Sequence, residues 1–202
     1  MQCFFRLARG YLRLPGDILS IIERPSWIKR TLRSRDMPFT PFHMGPGILL
    51  KAILQSSFSL MVFGWTQIVM DLQPLWIMVQ GHGHIHGFTH TFIGACLIAV
   101  FSCLTGKYLS EIGLCVIGIS KANNPVHISW KIAMLSAFVG SVSHVALDAL
   151  IHADVEPFYP ISVDNPWLGV ISVSLLHKLC LYSGLVGGGM FYVVQWRLKR
   201  NH

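Results

Sequence analysis

Long apolar runs, broken by short polar stretches, occupy the chain from residue 47 to residue 196. A single bilayer span needs about 20 mainly apolar residues. The first run, 47–80, is longer than one span, and the polar stretch "LQSSFS" at 54–59 divides it. The pattern predicts a short helix at 46–55, a turn, and a second helix from 58 to about 72 that Pro74 closes.

The later runs predict three more helices and one shorter apolar piece. In chain order the segments are a helix at 88–104 ended by Gly106, an apolar piece at 108–119, a loop at 121–129, a helix at 130–151, a loop at 152–167 and a helix at 167–196. Asn, Pro and Ser mark the loops. The glycines of "GLVGGG" at 184–189 permit close helix packing or a bend.

The composition indicates that these helices lie in a membrane. Of 202 residues, 52% are hydrophobic and 12% are charged, with a mean hydropathy of +0.53. Soluble domains carry about 25% charged residues. The sequence therefore predicts an all-α, polytopic membrane bundle of about four to six helices, formed by residues 37–202.

Basic residues concentrate at the start of the chain. Residues 1–36 contain eight of the sixteen Lys and Arg, with leucines and aromatic residues between them. This composition predicts a basic amphipathic arm that lies against anionic lipid headgroups. Nucleic-acid binding is the alternative for a basic arm, but a polytopic chain favours lipid, and no nucleic-acid partner is expected.

Two acidic residues stand out because they lie well inside apolar segments. They are Asp71 and Asp148, out of nine acids in the chain. Ionisable side chains inside membrane spans are costly and usually mark function. In "SHVALDALIHAD", Asp148 lies between His144 and His152 at a spacing of four residues, so a helix places all three on one face.

The predicted topology gathers more histidines near these acids. His43 precedes the first helix, Asp71 ends the second, and a helical hairpin brings their ends together. The third helix starts at that end with His86 and His90, and the helix at 130–151 returns to it. The candidate metal ligands at this end of the bundle are His43, Asp71, His86, His90, His144 and Asp148, with His152 as a further candidate.

Imidazole and carboxylate ligands without thiolate suit zinc, with manganese or iron as alternatives. Six ligands exceed one tetrahedral site, which favours a two-metal centre of the kind that hydrolyses phosphoesters. The hydroxyls of Thr89 and Thr91 are placed to orient ligands. His82 and His84 are interpreted as solvated loop residues, and His177 as a hydrogen-bonding partner between helices. The five cysteines show no metal-binding or disulfide pattern.

The motifs "TPFHMGPG", "IVMD", "HGFTHT" and "HVALDALIHADVEPFYP" occur in that order over about residues 37–160. Together they resemble the YdjM-like predicted membrane-bound metal-dependent hydrolases, a family distantly similar to the zinc-dependent phospholipase C and single-strand nuclease superfamily. The resemblance implies a helical protein of a bacterial inner or cell membrane with metal roles for the six ligands. Three positions depart from the family pattern. Gly87 stands where the family has an arginine, and Thr91 stands where it has a serine. The family often has a second acid near the acid of the second helix, whereas this chain has Gln73 near Asp71.

These observations lead to one principal hypothesis and two alternatives. The principal one is a metal-dependent hydrolase of an ester or phosphoester, which includes lipids, in which Asp71 or Asp148 bridges metals or takes the proton. The first alternative is a transporter or adaptor that uses the same cluster to bind metal or relay protons. It requires polar residues at several depths, whereas the sequence places them mostly at one end. The second alternative is that the cluster binds a structural metal ion, which holds the helical bundle together without catalysis.

Overall fold

The computed structural model describes residues 41–81, 83–121 and 123–200, which form helices joined by turns and loops. No β-strand occurs among these residues, and five α-helices do, so the all-helical prediction is confirmed. The α-helices are α1 (Met44–Leu54), α2 (Leu60–Gln80), α3 (Phe92–Val116), α4 (Trp130–Ile151) and α5 (Val173–Arg200). Short 3-10 turns lie at Pro41–His43, Gln55–Ser57 and Phe88–His90. The basic arm at 1–36 lies outside the described residues.

Of the helices that the structure describes, three are long and apolar enough to cross a membrane by length and composition. They are α3, α4 and α5. Their outer faces expose large apolar side chains such as Leu97, Phe101 and Phe138, each between 46% and 59% accessible. Contiguous apolar surface of this extent is typical of a face that contacts lipid.

The predicted end of α2 at Pro74 is wrong. The helix continues through the buried Pro74 to Gln80, and it ends where Gly81 adopts a left-handed backbone (φ 73°) and its N–H bonds to the Ile77 carbonyl. Proline removes one backbone hydrogen bond, but helices packed among other helices in a membrane tolerate that loss. Asp71 consequently lies inside α2 rather than at its end.

The predicted end of α3 at Gly106 is also wrong. A Cβ atom on Gly106 would lie 2.7 Å from Cδ1 of Trp65, so this glycine allows α2 and α3 to approach closely and does not stop the helix. The apolar piece predicted at 108–119 is the second half of α3.

His90 lies in the 3-10 turn before the helix, and Thr91 caps the helix by accepting the Gly94 N–H at 2.9 Å.

The helices alternate in direction as the sequence predicts. At one end of the α3–α4 pair the Tyr108 and Trp130 rings are 5.9 Å apart, and at the other end His90 reaches Asp148. We call the end that contains His43, His90 and Asp148 the site end, and the end that contains Tyr108 and Trp130 the opposite end. Helices α1, α3 and α5 begin at the site end, and α4 ends there.

Helix α1 packs mainly along α5, with glycines at the seam. A Cβ on Gly45 would lie 1.9 Å from the Cys180 carbonyl oxygen, and one on Gly187 would lie 2.5 Å from the Leu49 Cα. Small residues at such seams let membrane helices come close, as predicted for 184–189.

Helix α5 begins at Val173, later than the predicted 167, because the intervening turn caps α4: the Gly169 N–H donates to the Leu150 carbonyl at 3.0 Å.

Candidate metal centre

The six residues nominated as metal ligands lie together at the site end. Each is 7% exposed or less. The six are His43, Asp71, His86, His90, His144 and Asp148. They come from the turn before α1, the interior of α2, the loop and turn before α3, and the last turns of α4.

Asp148 is the centre of the cluster. Its Oδ2 lies 3.2 Å from Nε2 of His144 and 3.3 Å from Nε2 of His90. Its Oδ1 lies 3.4 Å from Nε2 of His43 and 3.9 Å from Nε2 of His152. One carboxylate on the inner face of α4 therefore faces four imidazoles that three separate segments supply.

Asp71 approaches the same cluster from α2. Its Oδ1 lies 3.3 Å from Nε2 of His144, which places His144 between the two carboxylates. Asp71 belongs to the face of α2 that packs on α4, since Gln67, one turn earlier, also reaches His144. The predicted convergence of α2 and α4 at this end is therefore present.

The tautomer of His144 follows from a contact on its far side. Its Nδ1 lies 2.6 Å from Oε1 of Gln67, and the Gln67 amide nitrogen donates to the Gly140 carbonyl at 3.0 Å. An amide oxygen only accepts, so Nδ1 of His144 carries the hydrogen. In the neutral ring, which is the form that binds metal, the lone pair is then on Nε2, the atom that faces Asp71 and Asp148.

A similar relay orients His90. Its Nδ1 lies 3.1 Å from the Thr89 hydroxyl, and that hydroxyl donates to Oε1 of Gln73 at 2.6 Å. Because the Thr89 hydrogen goes to Gln73, the hydroxyl oxygen accepts from Nδ1 of His90. The lone pair of His90 is thus on Nε2, directed at Asp148. Such outer contacts characteristically orient histidines that bind metal.

These inward nitrogens have no hydrogen-bond partner. In the described part of the chain, the buried side-chain atoms without one are His43 Nδ1, His90 Nε2, His144 Nε2 and Ser102 Oγ. Carboxylate oxygens lie 3.2–3.3 Å from Nε2 of His90 and His144, and in the neutral tautomers that Thr89 and Gln67 favour these nitrogens have no hydrogen to donate. Unsatisfied buried polar atoms are rare, and lone pairs that face carboxylates fit a cation between them.

The outer part of the cluster contains a residue that the sequence analysis missed. Asp154 accepts a hydrogen bond from Nδ1 of His86 at 2.9 Å, and the His86 ring lies 4.5 Å from the His152 ring. Burial alone raises the pKa of Asp154, but the hydrogen bond and charge of His86 lower it to about 2. Asp154 is therefore an anion at neutral pH, and it fixes the orientation of His86.

Neutral imidazole is the form that binds metal. Burial lowers the pKa of His43 to about 4, against the opposing effect of the Asp148 carboxylate. Burial also lowers the pKa of His90. Both histidines are consequently available as neutral ligands at physiological pH.

The ligand atoms form four overlapping triads, each with its atoms within 4.8 Å of one another. The triads are His43–His144–Asp148, Asp71–His90–His144, His86–His90–Asp148 and His86–His152–Asp154. The four triads together comprise eight different residues, which is enough donors for more than one tetrahedral ion. It extends from the buried interior to the half-buried loop after α4.

Other histidines and hydroxyls lie outside this cluster. Thr91 caps α3 and contacts no ligand, which corrects its predicted orienting role. His84 is exposed, and His82 lies outside the described residues. His177 stacks on Phe42 at 4.9 Å and is hydrogen-bonded to no described residue, so the predicted hydrogen bond between helices is wrong.

Gly87 fits closely against Gln73. A Cβ at this position would lie 2.3 Å from Nε2 of Gln73, the side chain that holds Thr89. The absence of a side chain at residue 87 therefore leaves room for the amide that orients His90 through Thr89.

Comparison with protein families gives one match. The model of a family described as "YdjM inner membrane protein" matches residues 26–199. No curated protein and no solved structure matches the chain.

Proposed function

The chain belongs to the YdjM inner membrane protein family and is integral to the inner membrane, and we propose that it is a divalent-metal-dependent hydrolase of an ester or phosphoester. The proposal rests chiefly on one observation: Nε2 of His90 and of His144 are buried and face carboxylates, while Nδ1 of each ring contacts an acceptor, Thr89 or Gln67. A purely structural histidine in a membrane interior normally forms a hydrogen bond.

The two acids have different surroundings and take different roles in this proposal. Asp148 faces four imidazoles and holds the metal ligands together. Asp71 contacts His144 at 3.3 Å and shares a triad with His90, and it is slightly more exposed than Asp148, at 7% against 3%. Asp71 is therefore the better placed carboxylate to accept a proton from water, and Asp148 would hold the metal.

The donor set favours particular ions. Imidazole nitrogens and carboxylate oxygens, without a thiolate in any triad, suit zinc, with manganese and iron as alternatives. An ion bound there would acidify a water molecule and polarise the oxygens of an ester or phosphoester. The relays through Gln67 and Thr89 would keep His144 and His90 in the tautomer and orientation that such an ion needs.

Buried hydroxyls favour a second candidate, a transporter or proton relay. Buried serines occur at several depths, whereas the sequence analysis placed polar residues mostly at one end. Examples are Ser59, Ser102, Ser110 and Ser136. Serines in membrane helices commonly pack against neighbouring helices, and Ser136 accepts the Ser59 N–H at 2.9 Å. The Ser136 hydroxyl therefore has a packing role, and the enzyme remains the first candidate.

A hydrolysis assay tests the proposal. The detergent-purified protein, demetallated and then reloaded with zinc or manganese, should cleave model phosphoesters or phospholipids. The Asp71→Asn variant should lose most activity while it retains bound metal. His127→Ala is the matched control, because His127 is a 77% exposed side chain at the opposite end and should leave activity unchanged.

The alternatives predict other results. Ion or proton flux in proteoliposomes, without cleavage of any ester, would replace the hydrolase with the transporter. A lower melting temperature on chelation, with neither cleavage nor flux, would assign the metal a structural role.

A further inference from the structure

An open groove of about 540 Å³ lies beside the candidate metal centre, between the residue before His43 and the first turns of α5. Its lining residues are Phe42, Val173, Ser174, His177, Lys178 and Leu181. None of them is a candidate ligand of the metal centre.

The groove lies at the level of the metal centre. Phe42 forms its wall and stacks on His177 at 4.9 Å. The next residue, His43, places Nε2 3.4 Å from Oδ1 of Asp148. The tight contact of Gly45 with the Cys180 carbonyl fixes this part of α1 beside the same turns of α5. The wall residue Phe42 is therefore the direct chain neighbour of a candidate metal ligand, His43.

The groove is amphipathic. Phe42, Val173 and Leu181 give it an apolar surface, and Lys178 contributes a cation. Lys178 forms no hydrogen bond or ion pair with any described residue. An unpaired charge within an apolar helix is costly and usually marks a functional site. An anion that also carries an apolar chain would complement both features.

Apolar surface continues past the metal centre on α2. Beyond Pro74, Leu75 is 52% exposed, Trp76 is 65% exposed and Val79 is 76% exposed. Side chains of this kind are stable in contact with lipid rather than water. These three residues follow Asp71 by four to eight positions on α2, so the exposed apolar surface extends beyond Asp71 along the helix, as expected where a lipid can approach the centre from the side.

We propose that this groove binds an anionic glycerophospholipid, with the phosphate at Lys178 and an acyl chain along Phe42, Val173 and Leu181. The inference deepens the proposed function, because it names such a lipid as the substrate class; the binding itself does not depend on hydrolysis. The basic arm at 1–36 is a poor occupant, since it has eight Lys and Arg against three acids and Lys178 would repel it.

Lipid binding to the full-length, detergent-purified protein tests the proposal. Native mass spectrometry would count phosphatidylglycerol and phosphatidylcholine molecules bound as each lipid is titrated. The wild type should prefer phosphatidylglycerol. Lys178→Ala should bind it about fivefold more weakly, the effect of one basic side chain near an anionic surface. Lys178→Arg should retain binding.

Lys131→Ala is the matched control, since Lys131 is an exposed lysine at the start of α4, at the opposite end. The proposed lipid site would be contradicted if Lys178→Ala and Lys131→Ala bound phosphatidylglycerol equally well, or if the wild type bound the two lipids equally well. The same spectra report bound metal. If Lys178→Ala loses lipid but retains metal, the result supports lipid binding in the groove. If the wild type binds lipid but contains no metal, the result contradicts the proposed hydrolase and leaves the proposed lipid binding unaffected.

Discussion

Asp148 and Glu111 are both acids inside long apolar helices, but they lie at opposite ends of the bundle and have opposite surroundings. Glu111 accepts from the Lys107 amine at 2.8 Å and from the Ile128 N–H at 2.8 Å, two donors that satisfy it. Asp148 faces Nε2 of His90 and of His144, two buried atoms without a hydrogen-bond partner. One acid is satisfied by donors within the protein, and the other has the surroundings that we propose for a metal ligand.

Other polar groups at the opposite end are satisfied as well. The Trp65 indole donates to the Thr105 hydroxyl at 2.9 Å, and the Lys51 amine donates to the carbonyls of Gln55 and Phe58 at 2.7 and 2.8 Å. Three of the four buried side-chain atoms without a partner in the described residues are imidazole nitrogens at the site end. Apart from the Ser102 hydroxyl, the described buried side-chain atoms without a partner are therefore concentrated where we propose that the protein binds metal.

Removing each acid gives the largest expected contrast. Residues that hydrogen-bond to metal ligands without binding the metal typically change metal affinity by about 10–100-fold when they are replaced. Asp148→Asn should weaken metal binding by more than about 100-fold, because it replaces the central anionic ligand itself. Glu111→Gln should leave metal affinity unchanged and lower stability by about 1 kcal/mol, the value of an exchanged hydrogen bond. Titration of the demetallated variants, followed by thermal unfolding, measures both. Equal metal affinity in the two variants would remove the contrast.

The outer triad gives the next largest effect. Asp154→Asn should weaken the binding of one ion by about 100-fold, because it removes the anion that orients His86. The inner ions should remain. Asp164→Asn, an exposed acid in the same loop, is the control and should change nothing. Metal stoichiometry per chain at rising chelator concentration separates the ions. Simultaneous loss of all ions would indicate one indivisible centre.

Gln67 tests whether the orientation of His144 matters. Gln67→Ala should lower metal affinity about tenfold, because Nδ1 of His144 loses its fixed acceptor. Gln195→Ala is the matched control: Gln195 is a partly buried glutamine whose amide contacts Gln55 at the opposite end. Both variants should remain folded by circular dichroism. An unchanged affinity in Gln67→Ala would show that the tautomer of His144 does not depend on this contact.

Gly87→Ala should have the smallest effect, a loss of metal affinity below about tenfold. The new Cβ would displace the flexible end of Gln73, so folding should be unaffected, but the relay through Thr89 to His90 would loosen. Gly188→Ala is the control because nothing lies within 4 Å of its Cβ position. If both alanine variants bind metal as the wild type does, the contact of Gly87 with Gln73 is unimportant for the centre.

The sequence predicted the helices better than their ends. Rules for proline and glycine describe isolated helices, and they failed at Pro74 and Gly106 because packing between helices outweighed them. Trp65 fills the space above Gly106, and no local pattern reveals that contact. Where the boundary is set by local capping the prediction held: Ser129 caps α4 at the predicted start, by accepting the Ile132 N–H.

The sequence placed the inner residues of the cluster for a physical reason. Alternating helix directions and the four-residue spacing of His144 and Asp148 suffice to bring these ligands to one end. Asp154 was missed because loops have no periodicity that gives a side chain its direction. Gln67 carried a signal that was not used: it precedes Asp71 by four residues and therefore shares its helix face.

The most direct test of the metal centre is the metal content of the detergent-purified protein, measured by inductively coupled plasma mass spectrometry. The wild type should contain divalent metal, zinc first among the expected ions, in more than trace amounts per chain. The double variant His90→Ala, Asp148→Asn should lose it while remaining folded. A well-folded wild type without bound metal, even after incubation with zinc and manganese, would contradict the metal centre and the hydrolase together.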